Sequence, residues 1–258
     1  MKKVYSNFTL ILAYQRSGTT ALRSILEATG KFLNFGEIFA PQRTKEKHGV
    51  YNFFESEVKN DPKIVYPLFE TRVKFFDSYF ENLLSASTST NKLPLIDVKF
   101  DVLYNLHTYF QADDIEPFFL KYCKMRNVKI IHLIRENSFE IALSLAIARE
   151  NKQYHYTSDE KPGSELILSK EDVASFYNNH VKQKDAAINF LKNYNHLEMQ
   201  YESSFVNNRL SDEALDLLSS YLDLELENIE STYVKKTKSN KELVSNFDEV
   251  HQHIFESK

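Results

Sequence analysis

Cysteine, glycine, proline and tryptophan are all scarce in this chain. Its 258 residues include one cysteine, five glycines, six prolines and no tryptophan. The single cysteine, Cys123, has no partner for a disulfide within the chain, which suits a reducing compartment. So few glycines and prolines leave no low-complexity linker, and no repeat is visible in the sequence. We therefore expect residues 1–258 to form a single domain.

Long apolar runs are also missing. The first apolar run, at residues 8–13, is followed by no small-residue cleavage site, and no run approaches the roughly 20 residues of a membrane-spanning helix. We therefore expect neither a signal peptide nor a membrane span, and a cytoplasmic location. The 36 acidic and 32 basic residues give a net charge of −4, which disfavours a general nucleic-acid-binding protein.

Short apolar runs alternate with segments of helical periodicity. The runs predict strands at residues 8–13, 32–35, 93–100, 128–134 and 196–201. The periodic segments predict a helix from residue 21 onward and helices at residues 66–84, 115–125, 137–148, 169–191, 211–224 and 239–255; residues 41–63, 85–91 and 150–168 are predicted loops. This alternation predicts an α/β protein with a three-layer, P-loop-like fold, in which helices flank a central, mainly parallel sheet. Ligands bind such sheets at the carboxyl ends of the strands.

A polar turn, YQRSGTT at residues 14–20, joins the first predicted strand to the first predicted helix. Free N–H groups and the positive end of the helix dipole meet at such a turn, so we expect it to bind a phosphate-like group. The residues expected to cradle that group are Arg16, Ser17, Gly18, Thr19 and Thr20. The turn lacks the lysine of the Walker loop, G-x-x-x-x-G-K-[ST], which disfavours a magnesium-dependent kinase. An ordinary strand–helix turn capped by Ser17 or Thr19 is the alternative interpretation.

Residues 15–20, QRSGTT, resemble the 5′-phosphosulfate loop of the sulfotransferases that use 3′-phosphoadenosine 5′-phosphosulfate (PAPS). The loop of that family typically reads P-[RK]-[ST]-G-[ST]-[TS], so Gln15 stands where a proline is usual. The resemblance implies an enzyme that transfers a sulfuryl group from PAPS to a hydroxyl acceptor and releases 3′-phosphoadenosine 5′-phosphate (PAP). Arg16 and the loop amides would stabilise the charge that develops on the leaving phosphate.

Two further blocks resemble the parts of the same family that bind the 3′-phosphate. Residues 130–144 contain Arg135 at a strand end and Ser144 on the following helix, and an arginine offers a fixed fork of donors to a phosphate. Their spacing is one residue longer than usual, and Glu136 stands where a cation is expected. Residues 233–250 resemble the C-terminal tail of the bacterial carbohydrate-type members, trehalose and nodulation-factor sulfotransferases among them. That likeness implies that Lys235 and Lys236 cover the 3′-phosphate.

The catalytic candidates are Arg16, Glu37 and Lys99. Glu37 lies in residues 36–39, which resemble the G-x-P-x-E-[YF]-F region of the carbohydrate-type members, and would take the proton of the acceptor hydroxyl. Lys99 lies on a predicted strand and would contact the transferring group or the acceptor. His107 and His132 are alternative bases, although the position of His132 inside an apolar strand is more typical of a core histidine.

PAPS is thus the expected co-substrate and PAP the expected product. We expect no metal, because the eight histidines show no ligand spacing. The expected acceptor is a small molecule or glycan with a hydroxyl group, in particular a carbohydrate or glycolipid; nucleic acid is not expected, and the oligomeric state stays open. Two other functions also stay open: a P-loop kinase or other nucleotide phosphotransferase, and an inactive module that binds PAPS or another nucleotide.

Overall fold

A five-stranded parallel sheet runs through the middle of the fold. The structure is a computed structural model that describes residues 3–43, 45–66, 68–105, 116–151, 166–231 and 239–256. The strands of the sheet are β1 (Thr9–Ala13), β2 (Phe32–Gly36), β3 (Leu93–Lys99), β4 (Lys129–Ile134) and β5 (His196–Gln200), and they lie in the order β2-β3-β1-β4-β5. All four pairings are parallel. Every residue of the central strand β1 is buried, which explains why its sequence is apolar without alternation.

Helices cover both faces of this sheet. The α-helices in the described ranges are α1 (Thr19–Ala28), α2 (Val50–Asn60), α3 (Phe69–Thr88), α4 (Phe100–Asn105), α5 (Phe118–Arg126), α6 (Ser138–Glu150), α7 (Lys170–Leu191), α8 (Tyr201–Ser204), α9 (Asp212–Leu222), α10 (Asn240–Leu243) and α11 (Phe247–Phe255). One apolar cluster joins a face of the sheet to α3 and α5, and a second joins the opposite face to α1 and α9. A short hairpin, β6 (Phe205–Val206) and β7 (Arg209–Leu210), lies beside α9. The predicted three-layer α/β fold is confirmed.

Apolar clusters also fix the C-terminal elements. Side chains of α6, α7 and α11 pack in a third cluster that is separate from the two faces of the sheet. The C-terminal helices are thus held on α6, the helix that follows β4.

Within the described ranges, no helix combines the length and the hydrophobicity that a membrane span requires.

Several helix ends lie where the sequence predicts them. Ser169 accepts a hydrogen bond from the Asp172 amide at the start of α7, and Ser211 caps α9 in the same way. Gly30 follows the end of α1 with φ 73°, a conformation that glycine adopts without strain. These local capping signals are legible because each depends on residues within one turn.

Two predicted loops are wrong. Residues 41–63 contain α2, in which Val50 is buried and Tyr51, Phe53 and Val58 are partly buried against the core, so the helix has an apolar face that the prediction missed. The predicted connection at residues 85–91 is largely the last turn of α3. There the hydroxyls of Ser85 and Thr88 donate to backbone carbonyls four residues earlier, which satisfies them inside the helix. Most of the third predicted loop, residues 152–165, lies outside the described residues.

The single helix predicted at residues 239–255 is also wrong, because the segment forms two helices, α10 and α11. Between them, the Ser245 amide donates to the Leu166 carbonyl, and the Leu166 amide donates to Leu243. The Asn246 side chain bonds both the N–H and the carbonyl of Leu168. Hydrogen bonds to the segment before α7 thus replace the intrahelical bonds that would have joined α10 to α11.

Candidate active site

The turn between β1 and α1 has the form of an anion-binding helix start. Gly18 precedes α1 with φ 88° and Arg16 has φ 64°, so the chain turns sharply through two residues in the left-handed region. Within the described residues no side chain caps α1, and its first turn contains no acidic residue. The first N–H groups of α1 have no intrahelical acceptor, so they and the helix dipole favour an anion at this point.

Gly18 is required at this turn for a second reason, which is the close approach of Tyr201. A Cβ atom at position 18 would lie 2.3 Å from Cε2 and 2.5 Å from Cδ2 of the Tyr201 ring. Tyr201 begins α8 immediately after β5, so the ring reaches the turn from the edge of the sheet. Only glycine fits both the backbone conformation and the space.

Ser17 provides a buried hydroxyl that has no hydrogen-bond partner within the described residues. The residue is 1% exposed, and its Oγ atom makes no hydrogen bond to any residue that the structure describes. An unpaired buried polar group costs about 1–3 kcal/mol. An anionic oxygen held at the turn would accept a hydrogen bond from this hydroxyl, so the residues present fit a phosphate group.

Arg16, Arg135 and Ser144 lie together beside the turn. Arg16 Nε donates to Ser144 Oγ at 2.9 Å, which links the turn to α6. Arg135, immediately after β4, donates from Nη1 to the backbone carbonyl of Arg16 at 3.1 Å. The structure thus brings the residues predicted for the two ends of the nucleotide into direct contact.

Arg135 is held on three sides. Its guanidinium carbon lies 5.2 Å from the centre of the Tyr201 ring, and Nη2 lies 3.9 Å from Glu140 Oε2. The neighbouring Glu136 accepts from Lys184 of α7, with Nζ 3.0 Å from Oε2. A cation is therefore present beside the position where the sequence shows an acidic residue.

Lys99 connects the start of α1 to Glu37. Its ammonium lies 2.6 Å from Thr19 Oγ1, 2.6 Å from Asp97 Oδ1 and 3.3 Å from Glu37 Oε1. The Lys99 and Thr19 residues are buried, whereas the Glu37 side chain is 21% exposed and so meets solvent. The two predicted catalytic residues are neighbours at the carboxyl ends of β2 and β3.

Asp97 and Arg23 complete this cluster, and neither is among the site residues that the sequence motifs predict. Arg23 Nε lies 3.1 Å from Asp97 Oδ2, and a terminal nitrogen of Arg23 lies 4.0 Å from Glu37 and 3.5 Å from Thr20 Oγ1. Asp97 is fully buried, so each of its oxygens faces a cation. An aspartate inside the apolar strand β3 is the one sequence signal of this arrangement.

Tyr14 and His180 pack against each other where β1 enters the turn. Their rings meet edge to face with 4.6 Å between centroids. Burial and the Asp101 carboxylate raise the pKa of Tyr14 to about 12. Burial, with the charges of Lys184 and Arg135, lowers the pKa of His180 to about 4. Both side chains are therefore neutral near pH 7.

Some predicted residues lie elsewhere. Lys235, Lys236 and His107 lie outside the described residues. Asn240, four residues after Lys236, donates from Nδ2 to Glu140 Oε2 at 2.8 Å. His132 is buried. Burial, and to a lesser extent the charge of His196, lowers the pKa of His132 to about 3, so it is a poor proton acceptor near neutral pH.

The chain is similar to solved structures at low sequence identity. No protein-family model and no curated protein matches it. The sulfotransferase domain from the curacin biosynthetic pathway matches with a TM-score of 0.47 and 16% sequence identity, over 85% of this chain and 75% of that one. Retinol dehydratase, solved with androsterone and the inactive cofactor PAP, matches with a TM-score of 0.38 and 14% identity, over 98% of this chain and 65% of that one. The function of the chain is therefore inferred from its own side chains.

Proposed function

We propose that this protein transfers a sulfuryl group from PAPS to a hydroxyl acceptor. The observation that carries the proposal is the position of the Lys99 ammonium, 2.6 Å from Thr19 at the start of α1 and 3.3 Å from the Glu37 carboxylate. One cation thus adjoins both the anion-binding turn and a carboxylate that meets solvent. A transferred group held between them has its leaving phosphate on one side and its acceptor on the other.

The turn and its neighbours divide the binding of PAPS between them. The amides of residues 16–20, the Ser17 hydroxyl and the Arg16 guanidinium hold the 5′-phosphosulfate end. Arg135 and Ser144 hold the 3′-phosphate, and Lys235 and Lys236 are assigned to the same phosphate by the likeness of their segment to the sulfotransferase tail.

The reaction is a direct displacement. The acceptor oxygen forms a bond to sulfur while the bond from sulfur to the bridging phosphate oxygen breaks, and the acceptor proton passes to the Glu37 carboxylate. Negative charge builds on the leaving phosphate, where Lys99, Arg16 and the helix amides stabilise it. Glu37 as general base contributes on the order of 10²–10⁴ in rate.

Asp97 and Thr20 argue against a magnesium-dependent phosphotransferase. In a Walker-type site, the hydroxyl after the lysine and an aspartate on a nearby strand hold Mg²⁺. Here Thr20 occupies the position of that hydroxyl and has an Arg23 nitrogen 3.5 Å away. The buried Asp97 carboxylate faces Lys99 and Arg23. Because cations already lie at both oxygen-bearing groups, the residues favour a metal-free anion over a nucleotide–Mg²⁺ complex.

The acceptor is proposed to be the hydroxyl of a carbohydrate or glycolipid. This finer assignment is supported by the likeness of residues 36–39 and 233–250 to the carbohydrate-type sulfotransferases. Mass spectrometry of reaction mixtures that contain sugars, glycolipids, phenols and steroids identifies the class. Sulfated phenols or steroids without sulfated sugars would overturn the carbohydrate assignment and leave sulfuryl transfer intact.

Calorimetry with PAP and with ATP, each with and without Mg²⁺, tests the nucleotide. We expect PAP to bind without a metal and ATP to bind weakly or not at all; the reverse order would refute the proposal. Transfer of labelled sulfate from PAPS to a mixed acceptor pool then tests the enzyme. PAP binding with no transfer to any acceptor would instead favour the inactive binding module.

Two variants test the residue roles. Arg16→Ala is expected to lower turnover about 100-fold or more, because it removes a donor to the leaving group. Glu37→Gln keeps an oxygen near Lys99 and is expected to lower turnover without lowering the affinity for PAP. Arg209→Ala and Glu55→Gln, at exposed ion pairs that include no residue of the candidate site, are the matched controls. Unchanged turnover in Arg16→Ala, or lost PAP affinity in Glu37→Gln, would contradict the assigned role.

A further inference from the structure

Two histidines and a glutamate meet on strands β4 and β5, away from the turn before α1. The parallel register pairs His132 with Glu198, and Ile130 with His196. Alternate residues of a strand point to the same side, so His132, His196 and Glu198 share one face of the sheet. One potential ligand atom from each lies within 4.8 Å of the others. His132 and His196 are 64 residues apart in the chain, which explains why histidine spacing alone does not indicate this set.

His132 gives an independent sign that the cluster has a ligand. The residue is 2% exposed, and its Nδ1 atom has no hydrogen-bond partner in the described ranges. The rings of Phe100 and His196 lie near it, with centroids 5.6 Å and 6.2 Å away. A buried imidazole nitrogen without a hydrogen bond is unusual, and a metal ion at the cluster would engage this ring.

His196 is oriented as a metal ligand is. Its Nδ1 atom lies 3.1 Å from the carbonyl oxygen of Tyr194. A carbonyl only accepts, so Nδ1 carries the proton and Nε2 keeps a free lone pair. A second ring nitrogen bonded to a backbone carbonyl is the usual outer contact of a metal-bound histidine. Glu198 is exposed and His196 is half-buried, so the cluster is reached from solvent.

We propose that His132, His196 and Glu198 bind a divalent transition-metal ion of the Zn²⁺ class. Two imidazoles and one carboxylate suit Zn²⁺ or Co²⁺, whereas Mg²⁺ and Ca²⁺ prefer oxygen ligands. Three protein ligands leave a fourth position for water. The ion ties the edge strand β5 to β4, the strand that ends immediately before Arg135. This site is independent of the proposed sulfuryl transfer.

The test uses untagged, EDTA-treated protein, with ZnCl₂ as the probe. Calorimetry is expected to show one Zn²⁺ bound per chain, and the melting temperature is expected to rise with Zn²⁺ concentration. His196→Gln and Glu198→Gln are each expected to lower the affinity for Zn²⁺ at least about tenfold, since changes even to residues that only contact a metal ligand typically lower metal affinity 10–100-fold. His251→Gln, at an exposed histidine of α11, is the matched control and is expected to bind as the wild type does.

Fold and geometry are checked separately. Circular dichroism and urea unfolding of the EDTA-treated variants establish that each is folded, which both positions on the edge strand permit. Co²⁺ bound to the wild type is expected to show the visible d–d absorption of a four-coordinate site. The proposal is overturned if the wild type binds no Zn²⁺, if both ligand variants bind it as tightly as the wild type, or if His251→Gln loses as much affinity as they do.

Discussion

Replacing Gly18 by alanine is expected to cost more stability than the same substitution at Gly30. Both glycines have positive φ, 88° and 73°, so an alanine at either position is forced into the left-handed region. A Cβ at position 30 has nothing within 4 Å, whereas a Cβ at position 18 lies 2.3 Å from the Tyr201 ring. Gly30→Ala therefore measures the backbone cost alone, and Gly18→Ala adds a steric cost to it.

The magnitudes follow from those two terms. The left-handed conformation costs an alanine about 1–2 kcal/mol, which is the expected loss for Gly30→Ala. Overpacking typically costs a further 1–3 kcal/mol or so, which gives roughly 2–5 kcal/mol for Gly18→Ala. A domain has about 5–15 kcal/mol of stability in all, so the second variant is markedly destabilised but still foldable in dilute buffer.

Urea unfolding of both variants measures the difference, and a double-mutant cycle identifies its cause. Removal of the ring in Tyr201→Leu is expected to cut the cost of Gly18→Ala to about that of Gly30→Ala, a coupling of about 1–3 kcal/mol. Equal losses at the two glycines would refute the steric argument. A large loss at Gly18 with no coupling to Tyr201 would show that the strain comes from another contact.

Three other variants test the fold, all by urea unfolding. Asp77→Ala removes the two carboxylate oxygens that each accept a hydrogen bond from the buried Arg126 at 2.7 Å, and it is expected to lower the free energy of unfolding by about 3–5 kcal/mol. Its control, Glu55→Ala at an exposed ion pair, is expected to lower it by about 0.5 kcal/mol or less. His180 has a pKa lowered to about 4, so the unfolded chain binds its proton first and stability falls as pH drops from about 6.5 toward 4; His180→Gln should reduce this slope by up to about 1.4 kcal/mol per pH unit. Asn246→Ala leaves two backbone groups before α7 without partners and should cost about 1–3 kcal/mol, with an unchanged value contradicting its bridging role.

The sheet was predictable from the sequence because burial on both faces leaves its mark on every residue. The strands β1, β3 and β4 are covered by helices on both sides, so they are apolar over most of their length; Asp97 and Lys99 of β3 are the main exceptions. Helix α2 was missed because Gly49 offers no side-chain cap to mark its start and its apolar face is only partly buried. The break between α10 and α11 depends on the segment before α7, about 78 residues away, which local periodicity does not register.

The candidate site also has a part that the sequence predicts and a part that it does not. The residues of the turn, Arg16 to Thr20, are contiguous, so their motif can be recognised in the sequence. Arg23 and Asp97 come from separate segments, and only the charge of Asp97 within an apolar strand signals that it must be paired. Tyr201 is the last residue of the strand predicted at residues 196–201, and its contact with Gly18 depends on how α8 leaves the sheet.

Each departure of Arg135 and its surroundings from the usual motif has a structural counterpart. The spacing between Arg135 and Ser144 is one residue longer than is usual in the motif. In the structure Arg16 donates a hydrogen bond to Ser144. Arg135 is instead positioned by the Tyr201 ring and the Arg16 carbonyl. Glu136 stands where a cation is usual in the motif. Lys184, on the neighbouring helix α7, places its ammonium 3.0 Å from the Glu136 carboxylate. Because the Tyr201 ring, the Arg135 guanidinium and the turn backbone contact one another, each helps to hold the others in place. If the proposed function is correct, this mutual support preorganises the site for a ligand with phosphates at two ends, which reduces the entropy lost on binding.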